Sequence, residues 1–87
     1  MTISFPNDCR SYDATRGAVR FWGYDRAMES SFFVDTNVLR RLQPDISEDE
    51  EGYLRAFDVH RDQIRAAAAR VFARGPKGSY DIGLSDC

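Results

Sequence analysis

The chain has 87 residues, of which 43% are hydrophobic and 30% charged, a composition that predicts one small globular domain and excludes a disordered chain. Its formal net charge of −2 argues against a dedicated DNA-binding domain, since such domains carry a strong positive excess. A domain of this size buries only about two thirds of its unfolded surface, so self-association would be a useful source of stability.

The beginning of the chain, MTISFPNDCR, has no basic region followed by an apolar core, so no signal peptide is predicted. No apolar run approaches the ~20 residues of a membrane span. Cys9 and Cys87 form neither a CxxC motif nor a metal-binding spacing, and we expect two free thiols. Together these features predict a cytoplasmic protein without a membrane partner.

The first part of the chain predicts β-structure. Residues 2–5, TISF, alternate and end at Pro6, which indicates a short edge strand. The stretch from Cys9 to Gly17 is turn-like, although residues 10–12 can extend as strand. AVRFWGY and AMESSFFV then alternate and are rich in β-branched and aromatic residues, so they predict a central hairpin over residues 18–34.

A hairpin loop at Tyr24 and Asp25, or a four-residue loop with the same pairing, sets Trp22 opposite Ala27. It also sets Arg20 opposite Glu29, which brings opposite charges together across the strands. One face of the hairpin then holds Val19, Phe21, Met28, Phe32 and Val34. The other face holds Arg20, Trp22, Ala27, Glu29 and Phe33.

The stretch DTNVLRRLQP predicts a short helix over residues 36–43, capped by Asp35 or Thr36 and ended by Pro44. A capping box follows, in which Ser47 caps the next helix and Glu50 reaches back. It opens a long helix over residues 48–74.

The long helix ends at Gly75 and Pro76. Its helical spacing gathers one apolar stripe, formed by Tyr53, Phe57, Ile64, Ala68 and Val71. Alternation of Tyr80, Ile82 and Leu84 predicts a last strand. The sequence therefore predicts a single α+β domain over residues 1–87: a small antiparallel sheet of about four strands with both helices packed on one face.

The outer face of the hairpin is the candidate functional surface, because Trp22 and Phe33 would point away from the helices where polar side chains are expected. One interpretation is an interface with a second copy or an unidentified protein partner, formed by Arg20, Trp22, Tyr24, Glu29 and Phe33. A second is that the chain covers the rings itself, by the short helix, the N-terminal loop or Arg20 stacked on Trp22.

A third interpretation is single-stranded nucleic acid, with bases stacked on Trp22 and Tyr24 and phosphates held by Arg20 and Arg26. The acidic overall balance and Glu29 on the same face disfavour it.

Other candidate sites have simpler structural explanations. The basic set Arg61, Arg65, Arg70, Arg74 and Lys77 is split between two flanks of the helix. Asp58 and Asp62 precede Arg61 and Arg65 by three residues, which indicates ion pairs on a solvated surface.

The acidic run at residues 45–51 suits helix capping and lacks the ligand pattern of a calcium loop. His60, the single histidine, lies beside the apolar stripe, and a packing role fits it better than that of a catalytic base. No catalytic residue, cofactor or metal site is predicted, and we expect no enzyme.

Four stretches together carry a family resemblance: ISFP at residues 3–6, SYDATRGAVRFWGYD at 11–25, SFFV at 31–34 and GSYDI at 78–82. The chain resembles a family of short bacterial proteins known as domain of unknown function 1488. The resemblance implies a small bacterial α+β protein and brings no catalytic residues with it. The leading hypothesis is a non-catalytic binding or regulatory module that self-associates through the outer face of the hairpin. The alternative is a nucleic-acid-binding accessory protein.

Overall fold

The structure, a computed structural model, describes residues 3–75 and 79–86. In this part of the chain the strands are β1 (Arg10–Asp13), β2 (Ala18–Asp25), β3 (Met28–Asp35) and β4 (Ser79–Ile82). The helices are α1 (Thr36–Leu42), α2 (Glu50–Val59) and α3 (Arg61–Ala73), and a 3-10 turn follows at Leu84–Asp86. The strands form one sheet in the order β1-β2-β3-β4, and the helices pack against it. The predicted α+β class with a central hairpin is confirmed.

The core lies between the helices and one face of the sheet. The sheet contributes Val19, Phe21, Phe32, Val34, Tyr80 and Ile82 to it. The helices contribute Val38, Leu39, Tyr53, Ala56, Phe57, Ile64, Ala67, Ala68, Val71 and Phe72. The predicted helical stripe and the predicted inner face of the hairpin are therefore buried. Met28 is the exception, 73% exposed at the end of the hairpin.

The hairpin turn lies two residues later than predicted. The strands pair as far as Asp25 and Met28, so the turn consists of Arg26 and Ala27 and does not include Tyr24. Arg26 adopts a left-handed conformation (φ 57°), which is uncommon for a residue other than glycine.

The later turn replaces the predicted cross-strand pairs. Arg20 lies opposite Phe33 and Trp22 opposite Ser31, so the predicted pairing of Arg20 with Glu29 is wrong. The faces are unchanged, because the opposite strand moves by an even number of residues and side chains alternate with a period of two. The face assignments are therefore correct for the strand residues, whereas the predicted register is wrong and Ala27 lies in the turn.

The two outer strands also differ from prediction. The predicted edge strand at residues 2–5 is reduced to one bridge between Ser4 and Tyr24, and the first strand is β1. Pro6 has no N–H to continue the ladder, and the chain leaves the sheet edge after it. The predicted antiparallel arrangement is confirmed for β1, β2 and β3, but β4 runs parallel to β3, so the sheet is mixed. The helices form a crossover from β3 to β4, and such a connection joins parallel strands.

The predicted long helix is two helices that meet at His60, whose backbone leaves the helical region (φ −104°, ψ 20°). The break lies between two buried residues, Phe57 of α2 and Ile64 of α3. The predicted capping box is also wrong. The carboxylate of Asp49 caps α2 by accepting the N–H of Gly52 at 2.7 Å.

At two positions neighbouring atoms leave no room for a side chain, so glycine is required. A Cβ at Gly52 would lie 1.9 Å from the carbonyl oxygen of Ser47. A Cβ at Gly23, on the inner face of β2, would lie 2.8 Å from the ring of Phe5 and 2.9 Å from Ile3. Gly23 is thus a strand residue that makes room for the N-terminal segment. The predicted helix stop at Pro76, Lys77 of the basic set, and Cys87 lie outside the described residues.

Alanine substitutions at three glycines should rank by the space available. We expect Gly52→Ala to cost about 1–3 kcal/mol in the free energy of unfolding, because the obstructing atom belongs to backbone. Gly23→Ala should cost less, since flexible side chains can move aside. Gly83→Ala, with nothing nearer than 4.0 Å, is the control and should stay within about 0.5 kcal/mol. Urea unfolding measures all three. A stabilising Gly52→Ala would show that helix propensity outweighs the contact with Ser47.

Candidate interface on the outer sheet face

The candidate surface is the face of β2 and β3 that points away from the helices. Alternation places all the predicted interface side chains there: Arg20, Trp22, Tyr24, Glu29 and Phe33. Their neighbours along each strand point into the core, so the hydrophobic packing on one side fixes the orientation of these side chains on the other.

Phe33 is only 7% exposed although the described helices pack on the other face of the sheet. The guanidinium carbon of Arg16 lies 4.0 Å from the centre of the Phe33 ring, and that of Arg20 lies 5.6 Å from it. Both distances are within the range of cation–π attraction. Arg16 reaches the ring from the turn between β1 and β2, next to Gly17 with its left-handed backbone (φ 62°). Sequence reasoning missed Arg16, because a turn residue carries no face assignment.

Arg20 lies between the two aromatic rings. Its guanidinium carbon is 5.0 Å from the centre of the Trp22 ring system, and it donates a hydrogen bond to Ser31 Oγ at 2.9 Å. Its buried Nε has no hydrogen-bond partner. The interpretation that Arg20 stacks on Trp22 is confirmed. Trp22 nevertheless remains half-buried, so part of its ring system faces solvent.

Tyr24 and Glu29 form a cross-strand pair near the hairpin turn. The phenol of Tyr24 donates a hydrogen bond of 2.6 Å to Glu29 Oε2. This bond favours the neutral phenol and raises the pKa of Tyr24 above its ordinary value. Arg26 follows in the turn and, within the described chain, makes no ion pair or hydrogen bond.

A groove of about 280 Å³ lies on the same sheet face at the end opposite to the turn. It is lined by Arg16, Ala18, Phe33, Asp35, Asp81, Ile82 and Gly83. Arg16 forms long ion pairs there, 3.7 Å to Asp13 and 3.9 Å to Asp81. The face therefore combines aromatic rings, guanidinium groups and carboxylates.

The arginines of α3 hold the N-terminal segment and do not form a free basic stripe. Arg61 pairs with Asp58 at 2.6 Å, as predicted, and with Asp8 at 3.4 Å. Arg65 pairs with Asp8 at 3.1 Å and donates to the carbonyl oxygen of Asn7, which corrects the predicted pairing with Asp62. Further along the same helix and at its end, Arg70 and Arg74 bind Asp86.

The remaining candidates lie apart from the sheet face. His60 is half-buried at the junction of α2 and α3, and Cys9 is exposed. Over residues 3–75 and 79–86, no three His, Cys, Asp or Glu side chains come together in a group that could hold a metal ion. In the same ranges no helix is long and apolar enough to cross a membrane.

The bond between Tyr24 and Glu29 has a measurable pH signature. Because it raises the pKa of the phenol, it stabilises the folded state below the ordinary tyrosine pKa of about 10, and this contribution is lost as the pH rises through the raised value. We expect Glu29→Gln to lower the pKa of Tyr24 towards that ordinary value. Titration of tyrosinate absorbance measures the change, and Tyr24→Phe identifies the transition. The same Tyr24 transition in the Glu29→Gln variant would contradict the assignment.

Comparisons with known proteins agree with this fold. A crystal structure of a protein of unknown function from Shewanella loihica PV-4, of the DUF1488 family, superposes with a TM-score of 0.81 at 20% sequence identity and covers 94% of each chain. A comparison with curated proteins gives no match. The family model described as "Protein of unknown function (DUF1488)" matches residues 3–84. With nearly the whole sequence matched by that model, the chain belongs to the DUF1488 family.

Proposed function

We propose that the protein is a small cytoplasmic, non-catalytic binding module that self-associates through the outer face of β2 and β3. The observation that carries the proposal is the placement of Trp22 and Phe33 on the face of the sheet opposite the described helices, where the side chains of Arg16 and Arg20 stack on them. We call these four residues the arginine–aromatic face. Aromatic and arginine side chains are the types enriched at the centres of protein interfaces.

The charges around the arginine–aromatic face favour a second copy over a nucleic acid. Glu29, Asp35 and Asp81 lie on the same side of the sheet as the two arginines. A polyanion laid across the face would meet these carboxylates. A second copy related by two-fold symmetry instead presents both signs, so each charge can face its opposite.

The polar side chains of the sheet face fit binding better than catalysis. The chain has a single histidine, and it lies at a helix junction away from the sheet face. The polar groups of the face are arginines, carboxylates, Ser31 and the phenol of Tyr24, which suit recognition and do not form a nucleophile–base pair.

The size of the face sets the expected strength of self-association. β2 and β3 have eight residues each and are about 26 Å long, whereas β1 and β4 have four residues and are half that length. At about 4.8 Å per strand the face measures on the order of 350–400 Å². Stable complexes bury about 800 Å² per partner. We therefore expect a weak dimer that dissociates on dilution through the micromolar range.

Trp22, the single tryptophan of the chain, reports on this interface directly. We expect acrylamide quenching of its emission to be weak at high protein concentration and to increase on dilution, as the second copy leaves. Light scattering on the same samples should show dimer converting to monomer over the same range. A monomer at the highest concentration would refute self-association.

Substitutions should separate the interface from folding. Trp22→Ala should weaken the dimer by at least tenfold, because it removes the partly exposed ring system from the face. Phe33→Ser should also weaken it, because it removes the buried ring on which Arg16 and Arg20 stack. Val59→Ser is the matched control, since Val59 is 67% exposed on α2. Circular dichroism checks that each variant is folded. Equal dimerisation by the folded Trp22→Ala variant and the control would rule out this face.

The same protein tests the nucleic-acid alternative. The nucleic-acid alternative requires bases to stack on both Trp22 and Tyr24. Trp22 is partly exposed, but the phenol of Tyr24 is hydrogen-bonded to Glu29, so only part of the required surface is free. We expect no shift of a labelled single strand at low salt. A shift that falls steeply with added salt, and that is lost in Trp22→Ala, would replace self-association with nucleic-acid binding.

A further inference from the structure

We infer that the second copy lies antiparallel across the arginine–aromatic face, with Arg26 of each copy inserted into the acidic groove of the other. The acidic groove is the cavity lined by Asp35 and Asp81 at the far end of the hairpin. This inference rests on the proposed self-association and adds to it the orientation of the two copies and the contact that fixes it.

Arg26 is distinguished from the other arginines by its lack of a partner. Within the described residues every other arginine makes a hydrogen bond or ion pair, as Arg10 does with Asp58 at 2.8 Å and Arg55 with Glu51 at 2.9 Å. The others are Arg16, Arg20, Arg40, Arg41, Arg61, Arg65, Arg70 and Arg74. Arg26 is exposed and held by its turn at the end of the hairpin.

Among the described residues, the carboxylates nearest to Arg26 in sequence form no ion pair with it. Glu29 accepts the hydrogen bond of Tyr24. Asp25 belongs to the inner face of β2, the face that Met28 shares, so its side chain points to the other side of the hairpin. Within the described residues, the tip of the hairpin, which is its turn at Arg26 and Ala27, therefore presents a guanidinium that has no ion-pair partner.

The acidic groove carries the opposite charge. One guanidinium, that of Arg16, stands among three carboxylates, those of Asp13, Asp35 and Asp81. The ion pairs that Arg16 makes are long, and the Asp81 side chain is 82% exposed. The carboxylate of Asp35 caps α1 through one oxygen, which bonds the N–H of Asn37. A second cation would balance this local excess of negative charge.

The tip and the groove lie at opposite ends of one face, which determines the orientation. The groove is at the Ala18 end of β2 and the tip follows Asp25, about 26 Å away along the strand. Packed sheets keep their strands within about 30° of each other. In an antiparallel two-fold arrangement the tip of each copy lies over the groove of the other. A parallel arrangement would set Arg26 against Arg26.

The antiparallel arrangement also explains the centre of the face. The two-fold axis passes near the middle of β2, so the two Trp22 side chains approach each other. The solvent-facing part of each ring system is then covered by the other copy. The contact is isologous, which means that both copies use the same surface. It therefore forms a closed dimer and does not extend into a filament.

Charge reversal tests this pairing, with sedimentation equilibrium as the measurement. We expect Arg26→Asp and Asp81→Arg each to weaken the homodimer by roughly tenfold, since every reversed contact occurs twice in a two-fold dimer. Asp62→Arg on the exposed side of α3 is the control, because it changes the net charge as Asp81→Arg does. The control should dimerise like the natural protein.

Mixing the two single variants gives the decisive result. In a heterodimer of Arg26→Asp with Asp81→Arg, both contacts join opposite charges, so affinity should return to that of the natural protein. The double variant should recover in the same way. If the natural protein and Asp62→Arg dimerise but neither variant is weakened, the antiparallel pairing is overturned while self-association stands. If the natural protein is a monomer, both proposals fail.

Discussion

An aromatic stack across the middle of the sheet organises the rest of the structure. Phe32 lies between Phe21 on one neighbouring strand and Tyr80 on the other, with ring centres 5.4 and 5.0 Å apart. Phe57 of α2 packs on Phe21 at 5.1 Å, and Phe72 of α3 packs on Tyr80 at 5.5 Å. Three strands and two helices thus meet on one row of rings. Because strand side chains alternate, a buried row on one face determines which side chains the other face presents.

The outer face follows from this constraint. With Phe21 and Phe32 buried, Trp22 and Phe33 must point to the side of the sheet opposite the described helices. The chain reduces the exposure of these rings with arginine side chains, whose planar groups stack on them while their charge stays near water. Such a cover is thinner than a helix and leaves Trp22 partly open. The same residues that complete the fold therefore also provide a surface on which another sheet can pack.

The sequence allowed the faces to be predicted but not the register, and the difference has a physical cause. Face assignment needs only the period of two, which AVRFWGYD and MESSFFVD show directly. The sequence pattern predicts the turn too early because Gly23 and Asp25 are residue types that favour turns. In the structure Gly23 serves a distant contact, the passage of Ile3 and Phe5 over the strand. The direction of β4 and the stacking of Arg16 on Phe33 likewise depend on where separate segments meet, and local patterns do not contain that information.

The arrangement of charges gives the surface its direction. Along the helical side, arginines and carboxylates satisfy one another: Arg61 and Arg65 tie down the N-terminal segment and Arg74 holds Asp86. On the sheet side the balance is uneven, because Arg26 has no ion-pair partner among the described residues and carboxylates are in excess at the groove. Separated opposite charges attract a partner over longer distances than rings do and resist a partner in the wrong orientation. The aromatic side chains of this face can supply the contact area for a second sheet. The separation of opposite charges along β2 can determine the orientation in which that sheet binds.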